Sequence, residues 1–123
     1  MDKLYVVVRE DLPPGALCAQ ACHALRAFVD AHPEVDRAWY ESSNNLVVLA
    51  ARDEEHLNVL LRRAALQGVA TAAFREPDFG DSLTGIAVAP AGWRMLSSLP
   101  KAFKRAGETP SSRLLCSTTP TAA

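Results

Sequence analysis

Apolar residues along this chain fall into two alternating patterns. Short unbroken runs alternate with longer stretches in which apolar positions recur every three or four residues. Leu4-Tyr5-Val6-Val7-Val8 is a run rich in β-branched side chains and predicts a strand buried on both faces. Leu12-Pro13-Pro14-Gly15 breaks the chain, and positions 14–31 then follow helical spacing. Within them Leu17, Ala21, Ala24, Leu25 and Phe28 would share one buried face. His32-Pro33 stops that helix, because a residue before proline avoids the α region. A polar connection over 34–45 leads to a second strand run, Leu46-Val47-Val48-Leu49-Ala50. Asp53 reads as the N-cap of a further helix, with Glu54 and Glu55 in its first turn and Gly68 closing it. Strands are expected over 69–74 and 83–89, joined by a loop over 75–82. Positions 93–105 are amphipathic enough for one or two helical turns, interrupted by Pro100.

The element order is therefore β-α-β-α-β-β-α. Strands separated by helices become parallel neighbours, and the short link between the last two allows an antiparallel pair. The expected fold is a single-domain three-layer α/β/α architecture with a four-stranded mixed sheet. It would occupy residues 1–106. Residues 107–123 shift to Ser, Thr, Pro and Ala and are expected to form a disordered tail.

Composition narrows the function classes. A chain of 123 residues has room for one core, and its 49% hydrophobic content is ordinary for a globular domain. No run reaches the roughly 18 apolar residues of a membrane span, so no membrane partner is expected. The opening Met1-Asp2-Lys3-Leu4 lacks the apolar stretch of a secretory leader, which makes the cytoplasm the expected location. A net charge of −1 is not the basic excess of a dedicated nucleic-acid binder. The three cysteines form no disulfide framework. Cys18 and Cys22 could share a helix face, but no second ligand cluster accompanies them, so buried helix cysteines are expected and no metal.

The motifs are more specific in combination. Asp11-Leu12, Gly15, Ala19-Gln20 and His23-Ala24 resemble the opening signature of the type 2 peptidyl-tRNA hydrolases, in which an Asp-Leu loop and a Gly-Lys pair lead into a helix carrying Ala-Ala-Gln-x-x-His-Ala. Asp53-Glu54-Glu55-His56-Leu57 resembles the start of that family's second helix. Ser82-Leu83-Thr84, running to Pro90, resembles its last strand. The likeness spans residues 3 to 100. It implies cleavage of the ester between a peptide and the terminal ribose of tRNA, with no metal or organic cofactor, peptidyl-tRNA as partner, and a homodimer.

Such a reaction needs a group that orients or deprotonates water and a donor for the developing oxyanion. The resemblance points to His23 as the base and to Gln20 as a substrate-binding residue. Gln20's amide would either bond the terminal ribose or brace the neighbouring loop. Ala16, Gln20, His23 and Ala27, spaced at four, three and four, would form a stripe distinct from the apolar face. The family's acidic loop is shortened to Arg75-Glu76-Pro77-Asp78-Phe79-Gly80-Asp81-Ser82, where Glu76, or Asp78 as second choice, could tune His23. Thr84 would contact substrate or serve as a plain strand threonine.

Three departures concern charge. The family's loop lysine falls on Ala16, and the lysines bracketing its second strand fall on Leu46 and Ala50. Arg9 is the nearest replacement cation, followed by Arg26, with Arg75 a further substrate-binding candidate. Trp39-Tyr40 could stack on a base or pack the long connection onto the core. Lys101, Lys104 and Arg105 could meet an anion or simply be a solvated helix end. The alternatives to peptidyl-tRNA hydrolysis are an impaired or inactive relative acting as a binding or dimerising module, and a hydrolase of another small acyl ester or amide.

Overall fold

In the computed structural model, residues 2–104 are described. Four strands form one sheet in the order β2-β1-β4-β3. They are β1 (Lys3–Arg9), β2 (Asn45–Ala51), β3 (Thr71–Glu76) and β4 (Ser82–Val88). β1 pairs parallel with β2, and β4 runs antiparallel to both β1 and β3, so the sheet is mixed as expected. The unbroken apolar runs are explained by position. β1 and β4 are the interior strands, and six of the seven residues of β4 are buried.

Strand alternation divides the core in two. Leu4, Val6, Val8 and Ala87 face α1 (Pro14–Ala31), where they meet Leu17, Ala24 and Phe28. Val7, Ile86 and Val88 face the other way, toward Leu57 and Leu60 of α3 (Glu54–Leu66). This is the three-layer α/β/α arrangement. Asp53 caps α3 by accepting the His56 N–H at 2.9 Å, and Gly68 follows that helix with a left-handed φ of 69°.

The connection over 34–45 is a helix, α2 (Pro33–Ser42), and not an irregular link. Pro33 stops α1 and also occupies the first turn of α2, where proline is favoured and where Glu34 and Asp36 suit the helix dipole. His32 sits between the helices, and its Nε2–H donates to the Thr71 carbonyl at 2.7 Å. Trp39 is buried in the core and donates from Nε1 to the Asn45 carbonyl at 2.7 Å, whereas Tyr40 is exposed. The closing helical turn differs from expectation too: a 3-10 helix spans Pro90–Leu96, earlier than the stretch read as helical. Beyond it, Pro100 to Ala102 run against the free edge of β2. The expected tail over 107–123 lies outside the described residues.

Gly85 sets the distance between α1 and the sheet. A Cβ there would lie 3.1 Å from the backbone oxygen of Gln20 and 3.4 Å from Ala24 Cβ. Gly85→Ala is therefore expected to lower stability by about 1–3 kcal/mol. The check is a fall in the urea midpoint with an unchanged slope.

Candidate active site

At the β3–β4 end of α1, one hydrogen-bond chain links three elements. Gln20 is 3% exposed and points from α1 onto β4. Its Oε1 accepts from Thr84 Oγ1 at 2.5 Å, and its Nε2 donates to Glu76 Oε1 at 2.8 Å. The direction of the chain is forced. An ionised carboxylate only accepts, so the Gln20 amide nitrogen must face Glu76 and its oxygen must take the Thr84 proton. Gln20 thus belongs to the buried face of α1 with Leu17, Ala24 and Phe28, instead of to a separate stripe with Ala16 and His23. Ala21 and Leu25 sit at its margin, half-buried.

An irregularity in the sheet brings Thr84 into this chain. Phe74 pairs with Gly85 and Arg75 with Leu83, which leaves Thr84 as an extra residue in β4. Strict alternation would send Thr84 to the α3 face, because Gly85 meets α1. The bulge turns both Thr84 and Gly85 toward α1 and returns Leu83 to the α3 core.

Glu76 ends β3 and is half-exposed. Its second oxygen accepts the Asp78 backbone N–H at 3.3 Å, which orders the turn over 76–79. The Gln20 hydrogen bond, the Asp78 N–H and the nearby His23 hold its carboxyl below the usual carboxylate range. Asp78 joins the site through its backbone, so Glu76 is the acid that Gln20 engages. His23 lies on the exposed side of α1 and stacks on Phe74, with ring centroids 4.4 Å apart and planes 18° from parallel. Its interaction with Glu76 is coulombic.

Glu76 supplies a pH test. A carboxyl held below its ordinary 4.5 in the folded state stabilises the fold above that value, and the contribution is lost as pH falls through the depressed value. Glu76→Gln has no such linkage. Acid titration of unfolding free energy should show the wild type's advantage over Glu76→Gln shrinking below about pH 4.5.

The two arginines lie elsewhere. Arg9 grips Asp11 with Nε and Nη2 at 3.0 and 2.9 Å and reaches Ser82 Oγ and the Leu83 carbonyl with Nη1 at 3.2 and 3.3 Å. That pairing raises the Arg9 pKa and lowers the Asp11 pKa. Arg75 projects toward α3, with Nη1 3.9 Å from Glu54 Oε2. Glu54 in turn accepts the Leu83 N–H at 2.8 Å. Together these groups clamp the start of β4 from the α3 side, while Gln20, His23, Phe74, Glu76 and Thr84 meet on the α1 side.

The sequence alone does not single out Phe74 or the Glu54 clamp. Phe74 carries one legible signal, as the apolar strand residue two positions before the loop acid. Cys18 and Cys22, expected to be buried, are exposed. Among the described residues, no cluster of three or more His, Cys, Asp or Glu could hold a metal ion. No described helix is long and apolar enough to cross a membrane.

The family model of peptidyl-tRNA hydrolase PTH2 matches residues 2–105. The chain belongs to that family. Its fold is similar to a solved structure of a protein of unknown function from Agrobacterium tumefaciens strain C58, with a TM-score of 0.59 and 16% identity, covering 80% of this chain and 96% of that one. At that identity the likeness speaks to fold alone. No curated protein matches the sequence. On the first helix Gln20 is buried and His23 exposed, and Ala16, half-buried, stands at the position where the sequence resemblance leads one to expect a lysine.

Proposed function

We propose that this chain hydrolyses the ester joining a peptide to tRNA, with the reaction placed where Gln20, His23 and Glu76 meet. The observation that carries the proposal is the directed chain Thr84→Gln20→Glu76, which fixes an ionised carboxylate beside an exposed imidazole. A carboxyl whose pKa is lowered by the Gln20 hydrogen bond is a poor proton acceptor near neutrality but a good counter-ion. His23 therefore takes the proton from the attacking water, Glu76 stabilises the imidazolium that forms, and the imidazolium returns the proton to the ribose oxygen as the acyl C–O bond breaks. Phe74 holds the ring flat, and Gln20 holds Glu76. Peptidyl-tRNA would lie across the exposed side of α1 over His23.

A second reading, a relative retained as a binding or dimerising module, is favoured by a specific observation. The cation nearest in sequence to the missing lysine, Arg9, is already committed to Asp11. Release of labelled peptide from peptidyl-tRNA, measured beside direct tRNA binding, separates the two. Multiple turnovers support hydrolysis. Release no faster than the buffer blank, with no tRNA bound, rules hydrolysis out and leaves the binding module.

A further inference from the structure

The flank of α1 facing β2 carries an apolar groove that the proposed chemistry does not use. Cys18, Cys22 and Leu25 of α1, Leu46 and Val48 of β2, and Phe103 line a cavity of about 200 Å³ whose surface is apolar throughout. Leu46 is 45% exposed and Phe103 50% exposed, so two large apolar side chains at its rim face water. Beside it the chain runs antiparallel to the edge of β2. The Ala50 N–H donates to the Pro100 carbonyl at 2.9 Å, and the Ala102 N–H to the Val48 carbonyl at 3.0 Å. At Phe103 a left-handed φ of 65° takes the chain off that ladder, at the groove itself.

We propose that the groove is the docking site of this chain's own segment Arg113-Leu114-Leu115-Cys116. Residues 105–123 are otherwise Ser, Thr, Pro, Gly, small or charged, and Leu114 and Leu115 are their only large apolar side chains. Ten peptide links separate Leu114 from Lys104. They span up to roughly 33 Å when extended, enough to reach any point of a groove whose mouth is at Phe103. A tether of that length presents the segment at an effective concentration on the order of millimolar, far above what a second copy offers in dilute solution. Burying two leucines against Leu25, Leu46, Val48 and Phe103 removes apolar surface from water on both sides.

The two exposed cysteines report on the groove directly. Full-length protein and the double variant Leu114→Ser/Leu115→Ser are each treated with N-ethylmaleimide, and alkylation of Cys18 and Cys22 is followed peptide by peptide by mass spectrometry. Matched circular dichroism spectra and unfolding midpoints establish that both are folded. The proposal expects both thiols to react at least several-fold more slowly in the wild type, at every protein concentration. Equal rates in the two proteins overturn it. Protection that grows with protein concentration overturns it as well, because a second copy then covers the groove.

Discussion

His23→Ala is expected to lower kcat/KM for peptide release by about 10²- to 10⁴-fold, the range for losing a positioned general base. It should leave the unfolding free energy within about 0.5 kcal/mol, because His23 is an exposed residue whose main contact is the face of Phe74. The loss should fall on kcat, since proton transfer from water develops in the transition state and not in the bound substrate. Phe74→Leu removes the stacking surface and keeps the imidazole. It should reduce kcat less, because the base remains and only its orientation loosens. A His23→Ala variant with unchanged kcat would show that another group takes the proton.

Gln20→Glu carries the second large effect, this time on stability. The position is 3% exposed, and the residue there must donate toward Glu76 and accept from Thr84. A carboxylate satisfies Thr84 but sets a second negative charge against Glu76, buried and without a counter-ion. Near neutrality this should cost about 3–5 kcal/mol. The pH dependence runs opposite to that of an ordinary acid. Burial and the like charge raise the new carboxyl's pKa in the folded state, so the folded protein binds a proton more readily than the unfolded chain. Lowering the pH protonates the new group, which can then donate to Glu76, and part of the loss should be recovered. Chemical denaturation at pH 7.5 and at pH 5 distinguishes this from a packing defect, whose cost would not depend on pH.

Both effects rest on contacts that sequence patterns reveal only in part. Elements whose signals are local were legible: the valine run of β1, the Asp53 cap of α3, the break at His32-Pro33. In the sequence pattern that break marks only an end. Proline stops one helix and starts another with equal ease, so the pattern does not announce α2. Gln20 failed as a pattern for a different reason. Helical spacing assigns faces by hydrophobicity, and a glutamine on a buried face violates that rule unless partners compensate for its burial. Its partners, Glu76 and Thr84, are 56 and 64 residues away. Thr84 reaches Gln20 only because the sheet bulges at that residue, and no periodicity signals an inserted residue. Cys18 and Cys22 depart the other way, as residue types usually buried but here exposed on a flank that none of the described layers covers.

The charge question also changes in structural terms. Arg9 was the sequence-nearest substitute for the lysine absent at Ala16. Its guanidinium is engaged by Asp11, Ser82 and Leu83 on the α3 side of the sheet. The chemistry assigned to the α1 side therefore depends on how His23 and Glu76 handle one proton, without Arg9.

That dependence is tested most directly by isotope. Peptidyl-tRNA is incubated with the full-length protein in H₂¹⁸O, and the released peptide is weighed by mass spectrometry. Hydrolysis by a water activated at His23 predicts one ¹⁸O in the C-terminal carboxylate of the released peptide, over many turnovers, with the yield collapsing in His23→Ala. Release no faster than the blank, or equal ¹⁸O yield from His23→Ala, would contradict it.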